Sequence, residues 1–400
     1  MNKYKNTVDR MDKVKFDLEN NGYSNGKDLE LDFFASNSLV WEGLNDLAHE
    51  DLNDLYKVHE FLISEVCKIH NNEEDHSNMQ LFSNNLNIRD IKEHLEDGKR
   101  AFNTYSFNDY DWDYYVIGDI HSDSISTKKV LEKIEFFNKA AKKEKIRVIF
   151  VGDYVDRGKE HFKTLQLILS LKYIFPENIY LLRGNHDGGY MENGKVKLWV
   201  KKPESDSEDD WFLLYMYNLA NKNATFKLDI INKYLKLFDS LANIAFICHE
   251  NINIMVAHGG IPRPRKGESR YYGYINSISD LTNENIKDHL NKTIVNNMMW
   301  SDPAVSGDDL RENNTRFRFL EEHFEEFRDL IGFDIFIRGH QAEKKGYRKF
   351  FNDRFITVFS SGMLLEGNKN INKETAYKSV NPKILKVNKE GEILILDMND

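Results

Sequence analysis

The sequence predicts an α/β fold with two central β-sheets flanked by helices, preceded by an α-helical N-terminal extension. Three observations predict it. From about residue 111, short apolar runs alternate with longer amphipathic runs, the pattern of βαβ units and a parallel sheet. Several of the apolar runs are β-branched and unbroken, as in IRVIFV at 146–151, the way a strand buried on both faces reads. The first hundred residues lack such runs and carry leucine and valine at helical spacing.

Residues 1 to about 30 are polar and rich in Asn and Lys, and read as a poorly ordered lead-in. From Leu39 the pattern turns helical: Leu44, Leu47, Leu52, Leu55, Val58, Leu62, Val66 and Ile69 share one face. HNNEEDHSN at 70–78 reads as a loop. IRDIKEHLEDG at 88–98 reads as a second helix, with Ile88, Ile91 and Leu95 on one face and Gly98 as its stop. These segments define a helical extension over 1–105, ahead of an α/β domain over 106–400. There, DYYVIGD, IRVIFVGD and NIYLLRGN read as strands, and VLEKIEFFNKAAKK and HFKTLQLILSLKYI as the helices between them. NIMVAHGG, DIFIRGH, RFITVFSSG, KILKVNK and EILILDM follow as later strands. An insertion spans about 191–210, and its ESDSEDD run reads as a solvated loop. No internal repeat is found.

The chain's 400 residues can bury a full core. A formal net charge of −10 argues against a nucleic-acid binder, which usually presents a basic face. The two cysteines, Cys67 and Cys248, make no disulfide framework and fit a reducing compartment; Cys248, in the run IAFIC, reads as a core residue. MNKYKNTVDRMDKVKFDLENN is too polar for a signal peptide, and no stretch has the roughly 20 apolar residues of a membrane helix. A cytoplasmic protein without membrane or nucleic-acid partners is expected.

The chemistry lies at the strand ends. Gly118-Asp119-Ile120-His121 ends the first strand, and Gly152-Asp153 followed by Asp156-Arg157-Gly158 the second. Gly184-Asn185-His186-Asp187 ends the third, and His258-Gly259-Gly260 and Gly339-His340 end two later ones. One such end is an ordinary capped turn. Five, each with glycine beside a polar group, point to a ligand, because functional residues collect at the carboxyl ends of parallel strands. Two carboxylates, three imidazoles and one amide oxygen form a mixed N/O set that suits Mn, Fe or Zn. Six ligands exceed the need of one open site, so two ions are expected, with Asp153 as the bridge. Two such ions clamp a phosphoryl group and lower the pKa of a shared water.

The ordered series GDIH, GDYVDRG, GNHD, HGG and RGHQ resembles the metal-dependent serine/threonine phosphoprotein phosphatase family, within the calcineurin-like phosphoesterases. WSDP at 300–303 and GYRKFFNDRFITVFS are similar to that family as well, and the resemblance covers about residues 111 to 365. It implies the calcineurin-like metallophosphoesterase fold and a catalytic domain over 106–400. It also implies a phosphomonoesterase acting on phosphoserine and phosphothreonine in proteins, by direct attack of a metal-bridging hydroxide. By the same resemblance, Asp119 and His121 hold the first metal, Asp153 bridges, and Asn185, His258 and His340 hold the second. Arg157 and Asn185 grip the phosphate, His186 protonates the leaving alkoxide, and Asp156 orients His186. The resemblance favours Mn or Fe; the ligand types also admit Zn. His161, His249, His289 and His323 lack the strand-end setting and read as surface or packing residues.

The sequence departs from the family in four places. Ser122 stands where glycine usually follows GDxH, and Asp187 where eukaryotic members have glutamate. A second phosphate-binding arginine falls within RENNTRFRF: a gap-free count meets Asn313, a small gap brings in Arg316, and Arg318 is next. Arg316 is the choice. The active-site tyrosine expected after TVFS is missing from SSGMLLEG. These departures mark a divergent member and leave room for a bacterial-type one. Other readings are a dinucleoside polyphosphate hydrolase, a nuclease or phosphodiesterase, and a non-catalytic metal scaffold whose N-terminal helices dock a protein partner. GNHD favours the first and Asp156-Arg157 opposes it. Gln341-Ala342, in place of a second histidine, opposes the nuclease.

Overall fold

The computed structural model describes residues 3–38, 49–84, 86–223, 226–282, 289–311, 313–373 and 375–400. Its centre is a pair of packed sheets. The larger orders β1 (Lys99–Ala101), β2 (Thr104–Phe107), β6 (Ile244–Cys248), β7 (Asn253–Ala257), β8 (Ile335–Arg338), β10 (Phe355–Val358) and β9 (Tyr347–Phe350). The smaller orders β12 (Ile393–Asp397), β11 (Lys383–Val387), β3 (Asp113–Ile117), β4 (Ile146–Phe150) and β5 (Ile179–Leu181). β3, β4 and β5 are parallel, as the alternation predicts. The closing pair β11–β12 is antiparallel, and the larger sheet is mixed, with β7, β8 and β10 parallel and β6 antiparallel to β7.

Each central strand serves two cores, which is why it reads as an unbroken apolar run. Tyr114, Val116, Ile149 and Val151 point between the sheets, where they meet Ala245, Ile247, Val256 and Ile337. Their neighbours Tyr115, Ile117, Val148 and Phe150 face the helices over the smaller sheet. On the far side of the larger sheet, Ile244, Phe246, Met255 and Phe336 join a third core. Cys248 lies in that core, buried and unpaired.

The N-terminal region is more ordered than its composition predicts. α1 (Lys3–Glu19) buries Thr7, Met11 and Val14, and α2 (Gly26–Ser36) buries Leu29 and Phe33. Asn25 caps α2 by accepting the Asp28 N–H at 3.0 Å. α3 (His49–Asn72) carries the expected face: Leu52, Leu55, Val58, Leu62 and Val66 are buried. Leu39, Leu44 and Leu47 lie outside the described residues. α3 runs through the start of the expected loop, and the second expected helix is a single turn, Ile88–Ile91, continued by a tight turn over Lys92–His94. The boundary expected near residue 105 runs through β2, so the chain before it supplies β1 to the larger sheet.

VLEKIEFFNKAAKK is two helices, α4 (Ser124–Lys133) and α5 (Phe136–Ala141), broken at Glu135 with φ +53. α6 (His161–Ile174) is buried on nearly every side, between α1, α3 and α4. α7 (Phe212–Lys222) and α8 (Asp229–Ser240) follow, and α8 packs on α3. The insertion opens with a hairpin, Gly189–Glu192 against Lys195–Leu198, before the acidic run.

Phe33 joins the N-terminal region to the helices over the smaller sheet: its ring lies 5.1 Å from Phe137 on α5 and 6.2 Å from Phe175 at the end of α6. Phe33→Ala should cost about 3–5 kcal/mol in chemical denaturation. A loss below about 1 kcal/mol would show that α2 is not packed as described.

Candidate metal centre

The five strand ends meet at one place. β3 delivers Asp119 and His121, β4 delivers Asp153, Asp156 and Arg157, β5 delivers Asn185 and His186, β7 delivers His258, and β8 delivers His340. Asp119, His121, Asp153, Asn185 and His258 are each at most 4% exposed. Five of the strand-end residues take left-handed φ values: His121 +48, Asp153 +54, Asp156 +66, Arg157 +67 and His340 +73. Such conformations cost about 1–3 kcal/mol each and persist where the surroundings over-determine them. Two glycines explain the spacing. A Cβ on Gly184 would lie 2.2 Å from Asp153 Oδ1, and one on Gly339 would lie 2.2 Å from Asp119 Oδ1. Any side chain there would displace a carboxylate.

Two donor groups share Asp153. His121 Nε2 lies 3.7 Å from Asp119 Oδ2 and 3.5 Å from Asp153 Oδ2. His258 Nε2 lies 3.4 Å from Asp153 Oδ2, 2.8 Å from Asn185 Oδ1 and 3.1 Å from His340 Nδ1. His340 Nδ1 is also 2.8 Å from Asn185 Oδ1. The far sides of two rings are tied down: His121 Nδ1 donates to Val155 O at 2.9 Å, and His258 Nδ1 to Val151 O at 3.1 Å. A carbonyl behind the ring fixes the tautomer and turns the Nε2 lone pair inward, the usual support of a metal-ligating histidine. Asp119 Oδ2 is buried with no hydrogen-bond partner among the described residues. Acceptors facing acceptors in a dry site are costly unless cations join them. The donors fit such cations, as two sets meeting at Asp153: His121, Asp153 and His186, and Asp153, His258 and His340.

Burial pushes the Asp119 carboxyl up to about 7 and raises Asp153 well above the carboxylate range, with the Asp119 charge adding to it. Burial likewise holds His121, His258 and His340 well below the usual imidazole value. Burial alone thus works against the charged form of each titratable donor, and a divalent cation would reverse that for the carboxyls.

Beside the donors stands a second pair. His186 Nδ1 is 2.9 Å from Asp156 Oδ2, and Asp156 Oδ1 accepts the Phe212 N–H at 2.8 Å. Both groups line or back a cavity of about 360 Å³, into which Arg157 and Arg316 also project. The Arg157 guanidinium lies over the Trp211 ring at 4.9 Å. Arg316 Nε donates to Asp302 Oδ2 at 2.6 Å. Arg318 and Asn313 are exposed and do not line the cavity.

The model of the calcineurin-like phosphoesterase family matches residues 114–344, more than half of the chain. The chain belongs to the calcineurin-like phosphoesterase family. A serine/threonine-protein phosphatase of Caenorhabditis elegans is 27% identical over 248 residues, covering 62% of this chain and 46% of that protein. A probable serine/threonine-protein phosphatase of Encephalitozoon cuniculi is 25% identical over the same shares. The chain thus spans about half the length of the curated relatives it matches. The solved structure of a protein serine/threonine phosphatase from Saccharomyces cerevisiae superposes with a TM-score of 0.52 at 16% identity, over 85% of this chain and 90% of that one, and shares its fold.

Within the calcineurin-like phosphoesterase framework, the departures acquire physical reasons. Asp187 is a clamp: its carboxylate accepts the N–H groups of Asp153, Tyr154 and Gly184 at 2.7, 2.9 and 2.8 Å. Ser122 Oγ donates to His161 Nδ1 at 2.6 Å, while His161 Nε2 donates to Asp209 O at 3.0 Å. His161, read from sequence as a bystander, therefore links the first strand end to the acidic run. His249 and His323 are buried away from the centre, and the His289 side chain lies outside the described residues. Sequence reasoning also missed Tyr377. Its ring stacks on His121 at 5.3 Å and meets Phe359 edge-on at 4.7 Å, so an aromatic wall is present although SSGMLLEG holds none. Tyr377 carries no periodic signal, being brought in from a loop 19 residues beyond β10. No helix of the described residues is long and apolar enough to cross a membrane.

Protein stripped with a chelator and then titrated with Mn²⁺ should unfold at a higher temperature, by the equivalent of about 2.7 kcal/mol at a hundredfold excess over Kd. Asp153→Asn, which alters the shared carboxylate, should abolish most of that rise. An unchanged melting temperature in the wild-type protein would count against a metal centre.

Proposed function

We propose that the chain is a dinuclear-metal phosphomonoesterase that hydrolyses phosphoserine and phosphothreonine in proteins. The observation that supports this most is the sharing of Asp153 by two donor groups, beside an acid pair and two arginines on one cavity. Asp119, His121 and Asp153 would hold one ion, with His186, which lies within reach of His121 and Asp153, kept for the acid role by its Nδ1 contact to Asp156; Asp153, Asn185, His258 and His340 would hold the other. Mn or Fe is favoured, and Zn fits the same ligand types. Such ions supply Lewis acidity at the phosphoryl oxygens and a water of lowered pKa.

The chain's own residues do the rest. Arg157 offers a planar fork to the phosphate oxygens, and Arg316 lines the same cavity. With Asn185 Oδ1 turned to two imidazoles, its Nδ2 group would donate to another phosphate oxygen. His186 would hand a proton from Nε2 to the leaving alkoxide while Asp156 holds Nδ1. Burial keeps His186 near about 3, with Arg157 and Arg316 adding to the effect. A phosphate dianion neutralising those arginines is the change that would bring its proton affinity up. A protein substrate is supported by the relatives, whose names are those of serine/threonine-protein phosphatases.

The test is phosphate release from a phosphothreonine peptide by Mn²⁺-loaded protein. His186→Ala should lower kcat by about 10²–10⁴-fold, and Asp156→Asn should fall between that variant and wild type. Near-full activity in His186→Ala or Asp153→Asn would sink the mechanism. Faster turnover of diadenosine tetraphosphate than of the peptide would keep the centre and overturn the substrate.

A further inference from the structure

We infer that the site has a second compartment, lined in part by Lys159 and Lys378, which receives the chain flanking the phosphorylated residue and selects substrates with acidic neighbours. The inference rests on the phosphomonoesterase reading above and specifies its substrate class. Next to the metal-centre cavity lies another of about 510 Å³, within the size range of ligand pockets. The two share Arg157 and Tyr377, so they are contiguous through the arginine proposed to grip phosphate. A compact phosphate ester would occupy only the first. A phosphorylated side chain on a polypeptide must leave the first cavity along its backbone, and the second offers it a course.

Both walls are held by hydrogen bonds, those of the first wall buried. On one side, Asn372 Nδ2 donates to Asp123 Oδ2 and to Gly362 O, each at 2.8 Å. Ser361 Oγ donates to Asp123 Oδ2 at 2.7 Å and lies 3.1 Å from Thr375 Oγ1. Thr375 Oγ1 in turn accepts the Tyr377 N–H at 3.2 Å. Asn372, Thr375 and Ser361 are all buried, so the segment that carries Tyr377 and Lys378 is held in place beneath its surface. On the other side the acidic run is pinned by Lys202, whose Nζ donates to Asp206 O at 2.6 Å.

Three cations, Arg157, Lys159 and Lys378, face two carboxylates, Asp206 and Asp210. Asp206 is already engaged, accepting the Trp211 indole N–H at 3.3 Å and lying 3.6 Å from the Arg157 guanidinium. That last contact is long and partly exposed, and a phosphate dianion would displace it. Asp210 stands against Lys159 and offsets part of its charge, so with Arg157 on the phosphate and Asp206 held by Trp211 the exposed ammonium groups of Lys159 and Lys378 outweigh the one remaining carboxylate that the flanking residues meet.

The Mn²⁺-loaded chain would be assayed on three substrates: a phosphothreonine peptide with aspartates beside the phosphothreonine, the same peptide with lysines there, and p-nitrophenyl phosphate. The acidic peptide should be turned over with roughly fivefold or greater kcat/KM than the basic one. In the Lys159→Glu, Lys378→Glu double variant the preference should invert, and the ratio of acidic-peptide to p-nitrophenyl phosphate turnover should fall. Equal turnover of the two peptides, or ratios within about twofold of wild type in the variant, would overturn the compartment while leaving the phosphatase reading intact. No hydrolysis of any of the three would overturn both.

Discussion

The Asp187 carboxylate closes on three backbone N–H groups, and through them it ties the end of β4 to the end of β5. Asp153 sits on the first of those N–H groups, so the height at which the shared donor enters the centre is set by this one buried side chain. The Asp153 Oδ1 atom completes the circuit by accepting the His186 N–H at 2.9 Å. Positions 153, 184, 186 and 187 thus form a closed loop of short bonds across two adjacent strands. Left-handed backbone at His121, Asp153 and Asp156 is sustainable because such loops leave no softer alternative.

A second hub holds Arg316 and the strand end that bears His340. Asp302 accepts from Arg338 Nη1 at 3.0 Å and from Arg316 Nε, and its Oδ1 lies 3.8 Å from His340 Nε2. Arg338 is fully buried and also donates to Thr357 Oγ1 and Ser301 O. The Arg316 side chain is about half exposed, so its pair with Asp302 adds little stability. Its effect is on direction: the pair aims an otherwise floppy guanidinium at the cavity, and places the WSDP segment in the same framework as the strand end that bears His340.

How much of this was legible depended on where the determining contacts lie in the chain. The five strand ends were readable because each packs its strand, glycine and polar residue into a few consecutive positions. The paired sheets were readable for the same reason, although the isolated run IAFIC gave no hint that it pairs with both β2 and β7. Helix α1 was missed because Met11 and Val14 are sparse apolar points in a polar sequence; α6 and α3, far along the chain, make that face worth burying. The break at Glu135 was missed because Ile134, Phe136 and Phe137 keep an apolar pattern through it. Tyr377 and the duty of Asp187 were missed for opposite reasons. The tyrosine arrives from outside the expected window, and the aspartate sits inside a motif that hides its structural duty.

The pairing of β2 with β6 carries a consequence for biosynthesis. Thr104 stands opposite Ile244 in the parallel register, a partner made 140 residues later. At roughly 5–20 residues per second, ribosomal synthesis leaves the β2 edge without its neighbour for about 7–28 s. During that interval the β1–β2 hairpin is an open edge of the kind that pairs with foreign chains. α3 waits longer still for α8, since Tyr56 bonds to Asp229, 173 residues later. Lys99 stands exposed on β1, a charge on the strand that remains the outer edge of the larger sheet once β6 has covered β2.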